Sequence, residues 1–178
     1  MDNDSQTVKI KGEWWDEIYE PDPLTGEMVL VHTTPVRINT KMDSVAILMA
    51  ALMANDPAHG GILYHAQGRG DGGWGPSPPA VNTADTTLFD EAGRNPPSSI
   101  VFLDPFDVVV AGPTNVIRVR TVYGLADLAG ETLREQALFG GTATVAVDSG
   151  LIINVLRGPG IFKSGAIQLA RNVKLTYS

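Results

Sequence analysis

The chain has no cysteine among its 178 residues, which removes disulfide frameworks, thiolate nucleophiles and cysteine-ligated zinc. Basic residues are also scarce: 13 Lys and Arg stand against 20 Asp and Glu, a formal net charge of −7. They form no run anywhere. A groove for nucleic acid or a patch for an anionic membrane needs clustered cations, so neither partner is expected. Long apolar stretches are missing too. The longest, Val45 to Ala54, is well short of the roughly 20 residues that a membrane-spanning helix requires. The opening Met1-Asp2-Asn3-Asp4-Ser5 is acidic and polar, the wrong start for a secretory signal, so synthesis in a cytoplasm is expected. No internal repeat is visible, and no linker is long enough to separate two domains cleanly.

Turn-forming residues are plentiful. Nineteen Gly and twelve Pro make about one residue in six a punctuator, and each costs roughly 1–3 kcal/mol inside a helix. Short strands joined by turns accommodate them. With 43% apolar residues, an ordinary globular proportion, the expected fold is mainly β: an antiparallel β-sandwich-like domain with one buried helix and one short helix. Residues 7–38 read as a β-meander. Val8-Lys9-Ile10-Lys11 alternates, and Trp14–Tyr19 and Met28–Val31 flank a Pro/Gly connector at 21–26, which suits a hairpin. Further strands are expected at about 62–66, 100–103, 107–111, 115–123, 132–139, 142–147, 150–156 and 166–177. In the segment 116–123, Ile117, Val119, Thr121 and Tyr123 share one face, and Arg118 and Arg120 share the other with Val116 and Val122.

Residues 41–55 predict a helix capped by Thr40 or Asp43 and stopped by Asn55-Asp56-Pro57. Its apolar run implies burial on all sides, between sheets or at a subunit interface. A second, short helix is expected between Asp85 and Gly93, with Pro96-Pro97 preventing continuation. If the chain divides, the break lies near Pro57–Gly60. That gives an N-terminal hairpin-plus-helix element over 1–59 and a β-sandwich-like domain over 60–178.

Chemical motifs are weak. Gly68-Arg69-Gly70-Asp71-Gly72-Gly73 has G-x-G-x-x-G spacing after a strand, but Trp74-Gly75-Pro76-Ser77-Pro78-Pro79 follows. A phosphate cradle needs a helix there. The embedded Arg69-Gly70-Asp71 is too short to carry a receptor assignment. His32, His59 and His65 show no metal-ligand spacing, and Asp16, Glu17, Glu20 and Asp22 do not follow a calcium-loop pattern. Asp148-Ser149-Gly150 reads as a turn, with no nucleophile elbow in the chain. No catalytic residue, cofactor or metal is expected.

Two spaced segments carry more. Thr86, Leu88, Glu91 and Arg94 fit T-x-L-x-x-E-x-x-R, and Leu133, Arg134, Glu135, Leu138 and Phe139 fit I/L-R-E-x-x-L-F. Their order resembles the virion-proximal attachment domain of phage tail-fibre and tail-collar proteins, over roughly residues 60–178. The resemblance implies a structural virion protein with no enzymatic activity. It would be made in the host cytoplasm and placed in the tail or neck region as an adaptor, collar or baseplate component. Its partners would be itself, as a homo-oligomer, and other virion proteins. Glu91 and Arg94 on the short helix are expected to pair with Arg134 or Glu135 and pin that helix to the sheet. Loops 68–79 and 157–165, with Arg69, Asp71, Trp74 and Phe162, are the expected docking surfaces. The chain departs from the family at Gln136 and at Gly140-Gly141, where the family often has a hydrophobe and an Asp. Two other readings remain open: a capsid decoration or head-fibre base protein, and a carbohydrate-binding or hydrolytic module stacking sugars on Trp14, Trp15 and Trp74.

Overall fold

The computed structural model describes residues 9–178. The readings of the first five residues and of Val8 lie outside the described residues. In chain order the elements are β1 (Ile10–Pro21), β2 (Met28–Thr33), β3 (Arg37–Ile38), β4 (Thr40–Lys41), α1 (Ser44–Met53), β5 (Gly60–Gly68), β6 (Glu91–Asn95), β7 (Ser99–Leu103), β8 (Val109–Val110), β9 (Val116–Tyr123), β10 (Glu131–Gly141), β11 (Leu151–Lys163) and β12 (Gln168–Tyr177). The expected class holds: the described residues are mainly β, with antiparallel sheets and one helix.

The larger sheet runs β2-β1-β12-β9-β7-β8, with β3 also paired to β1; the smaller runs β4-β11-β10-β5-β6. The hairpin of β1 and β2 forms where the Pro/Gly connector sits, Asp22 accepting the Leu24 and Thr25 N–H groups at 2.8 and 2.9 Å. Residues before position 60 are built into both sheets. β1 pairs with β12 from Ile10↔Tyr177 to Tyr19↔Gln168, and β4 pairs with β11. The suggested break at 57–60 is the turn between α1 and β5.

Between the sheets lies one core, where Trp14, Val119, Val173 and Leu175 meet Leu138, Ile153 and Leu156, with Val45 and Leu48 of α1 packed in. A second core covers the far face of the smaller sheet, where Ala66, Ala137, Phe139 and Val155 meet Met42 and Leu88. At Gly140 a Cβ would collide with the Gly61 carbonyl, so only glycine allows β10 and β5 to approach so closely.

Four expectations are corrected. First, no second helix forms between Asp85 and Gly93. Leu88 plugs into the far face of the smaller sheet, and Glu91–Asn95 becomes a strand on the edge of β5. Second, α1 is not buried all round. It packs on β11 and β5 through Val45 and Leu48, while Ile47 and Met53 face solvent, Met53 being 82% exposed. Asp43 occupies the N-cap without a side-chain cap bond, its carboxylate accepting from Thr83 Oγ1 at 3.1 Å instead. Third, residues 142–147 alternate like a strand but form a loop wrapped around the Arg94 guanidinium. Fourth, most of the loop expected at 157–165 continues β11 to Lys163, paired with β10 as far as Glu131.

Candidate functional site

Residues 69–90 run as a strap from β5 to β6 over the far face of the smaller sheet. Arg69 anchors its start, donating to Glu131 at 2.7 and 2.9 Å and to Asp90 at 3.1 Å. These bonds from Arg69 hold the Glu131 carboxyl below its usual range. Arg134 Nη1 donates to the Trp74 carbonyl at 2.8 Å. Arg157 donates to the Ala80 carbonyl at 3.1 Å and lies 4.9 Å from the Trp74 ring, a cation–π arrangement. Trp74 also packs on Phe89, with ring centroids 5.5 Å apart. The expected docking loop at 68–79 is therefore engaged within the molecule. Arg69 is tied down, and Asp71 accepts the Gly73 N–H at 2.8 Å to close a turn. Phe162, on β11, remains 61% exposed.

Neither Arg134 nor Glu135 meets Glu91 or Arg94, and the pairing of β10 with β11 shifts register between Leu133 and Glu135. Glu135 is buried and accepts the Asp90 N–H at 2.9 Å, with Arg157 Nε 3.6 Å away. Burial pushes its carboxyl up, against the pull of those partners. Glu91 and Arg94 pair with each other at 2.5 and 2.6 Å, both side chains buried. Residues three apart on a regular strand face opposite ways. Here Gly68 pairs with Glu91 and Gln67 with Gly93, so Ala92 is an extra residue. That bulge returns the two side chains to one face. Arg94 then reaches the Thr144 carbonyl at 3.3 Å and the Ser149 carbonyl at 2.9 Å, and stacks 4.4 Å from the Phe139 ring.

A second charged centre lies between the sheets. Asp16, Arg171 and Thr121 form one cross-strand row of the larger sheet. Leu156, Gln136 and Gln67 form a row of the smaller sheet. One Asp16 oxygen accepts from Arg171 Nη1 at 2.8 Å and from Arg37 Nη2 at 3.3 Å. The other Asp16 oxygen, Arg171 Nε and Gln136 Oε1 are buried without a hydrogen-bond partner among the described residues. His65 sits beside this layer, edge-on to Trp14 at 5.1 Å and to Tyr123 at 6.2 Å. Burial, reinforced by the Arg171 charge, lowers its pKa to about 3, so the ring is neutral. The Tyr123 hydroxyl donates to the His65 carbonyl at 2.5 Å and accepts from Gln67 Nε2 at 3.1 Å.

Apolar side chains also remain uncovered at both ends of the larger sheet. On β2, an edge strand, Val29, Leu30 and Val31 are each about half exposed. At the opposite edge Val108 and Val109 are exposed, and Phe106 is 86% exposed. Trp14 is fully buried, which withdraws it from sugar stacking. Among the described residues no helix is long and apolar enough to cross a membrane. Among the described residues no cluster of three His, Asp or Glu is placed to hold a metal ion.

The chain matches no protein-family model, no curated protein and no solved structure. Sequence reasoning missed Asp16, Arg37, Arg157 and Arg171 as members of charged centres. A signal existed for two of them. Asp16 has the inward parity of Trp14, and Arg171 that of Leu169 and Val173. A charge at a core-facing position of a strand is costly unless paired.

Proposed function

We propose that the chain is a structural protein of a phage virion, an adaptor, collar or baseplate component of the tail. It assembles in multiple copies, docks neighbouring proteins or fibres, and makes or breaks no bonds. The observation that carries this reading is the apolar rim of the larger sheet. Edge strands of proteins that stay single are normally blunted by Lys, Pro or inward charge. β2 has neither Lys nor Pro, and presents Val29, Leu30 and Val31 beside unpaired backbone groups. Exposed Phe106, Val108, Phe162 and Met53 extend the apolar surface to other sides, the pattern of a protein with several neighbours. The resemblance of the 86–94 and 133–139 segments to tail-fibre attachment domains supports the same placement.

The test is in two parts. Sedimentation of the purified chain should show self-association, and Leu30→Lys should return it to monomer while leaving the thermal midpoint close to the parent's. Mass spectrometry of purified particles from a phage encoding the chain should find it in multiple copies. A monomer missing from the particle would end this reading.

A further inference from the structure

The charged layer between the sheets opens to the outside at one side. β4 covers β11 only at Asn154 and Val155, so the stretch around Gly158 faces the Thr34–Arg37 segment across a gap. A cavity of about 290 Å³ occupies it, the small end of the range for ligand sites. Leu133, Leu156 and Ile161 give it apolar walls, and its polar lining is Arg37, Arg134, Glu135, Gln136 and Arg171. A side chain at position 158 would collide with the Arg37 guanidinium. Glycine there keeps that guanidinium at the mouth.

The charge count in this layer does not balance. Two guanidinium groups share a single Asp16 oxygen, and His65 beside them is neutral. Of the other charged groups on the cavity, Arg134 is bound to the Trp74 carbonyl, and Glu135 faces Arg157 and the Asp90 N–H. One positive charge is left over, shared between Arg37 at the mouth of the cavity and Arg171 at its inner end. An uncompensated cation in a low-dielectric site is costly, and a guanidinium matches a carboxylate through two parallel hydrogen bonds. Arg171 is only 2% exposed, and its Nε has no partner among the described residues.

We propose that this cavity is a binding site for a carboxylate carried on a short apolar stem. The carboxylate is held by Arg37 and Arg171, and the stem lies along Leu133, Leu156 and Ile161. Two sources share this chemistry: a free aliphatic acid, and a polypeptide C-terminus ending in an apolar residue. Binding here and assembly at the sheet rim are separable, so either can fail without the other.

Titration calorimetry with hexanoate, hexanamide and an N-acetylated tripeptide ending in leucine, as free acid and as amide, tests the site. Saturable binding of hexanoate or of the free-acid peptide is expected, with no binding of either amide. The tighter of the two acids identifies the source. Arg37→Gln should weaken the acid at least about tenfold, the loss of one charge-assisted contact, with the thermal midpoint nearly unchanged. In the parent protein the Arg171 Nε–H signal should shift on titration with the acid, a readout that needs no variant. Equal binding of acid and amide, indifference to Arg37→Gln, or no saturation at tens of millimolar acid would overturn the proposal.

Discussion

Glu91–Arg94 and Arg37–Asp16–Arg171 are both buried charge centres, yet they are completed in different ways. The first is local, brought together by a bulge. Arg94 directs its donors to Glu91, Thr144 and Ser149. It closes on itself and fixes the 142–149 loop. The second draws on three strands distant in sequence, loads two cations onto one oxygen, and leaves Arg171 Nε unpaired beside a cavity. A polar group that is fully satisfied rigidifies its surroundings, whereas one left unsatisfied keeps interaction energy available. The contrast separates a structural centre from one able to take a ligand.

The sharpest way to break this contrast is Arg94→Ala. Removing one partner of a buried pair costs about 3–5 kcal/mol, and urea unfolding should register a loss of that size, with hydrogen-exchange protection falling around Thr144 and Ser149. A loss of less than about 1 kcal/mol would mean that the closed centre holds nothing in place. A smaller effect, over the upper half of its pH window, should come from His65, beside the open centre. Its native pKa of about 3 lies below the roughly 6.5 of an unfolded histidine, so the unfolded chain binds a proton that the native state refuses. Stability therefore falls as pH drops through about 6.5 towards 3, by up to about 1.4 kcal/mol per pH unit from this group. Urea midpoints of His65→Gln should show a flatter slope in the upper half of that window. Lower down, carboxylates held below their usual range, such as Glu17 and Glu131, add their own loss. An imidazole seen by NMR to titrate near its ordinary value would contradict the burial of His65. The smallest effect is Arg37→Gln. Arg37 is 31% exposed and Asp16 keeps Arg171 at 2.8 Å, so unfolding should shift by about 1 kcal/mol or less. A cost matching Arg94→Ala would erase the distinction.

The legible parts of the fold were those whose signal is local. Alternation from Val116 to Tyr123 set the faces of β9, the Pro/Gly connector at 21–26 placed the first hairpin, and Asn55-Asp56-Pro57 marked where α1 stops. Glu91 and Arg94 misled because helical i, i+3 spacing and a bulged strand put charges on the same side. The apolar helix suggested burial on every face, but the core has room for only Val45 and Leu48. Residues 142–147 follow strand period, yet Arg94, distant in sequence, claims the Thr144 carbonyl and, just beyond, that of Ser149. The charged layer between the sheets was hardest to see. Asp16 and Arg171 meet only through the pairing of β1 with β12, which no local pattern specifies.

That pairing also decides whether the larger sheet is one piece. β12 lies between β1 and β9, and Lys9 and Ser178 exchange backbone hydrogen bonds at 2.6 and 2.9 Å. Among the described residues no strand other than the ten-residue β12 joins the β1–β2 hairpin to β9. Contacts between segments far apart in sequence close slowly. Deleting β12 would leave the larger sheet as two unlinked halves.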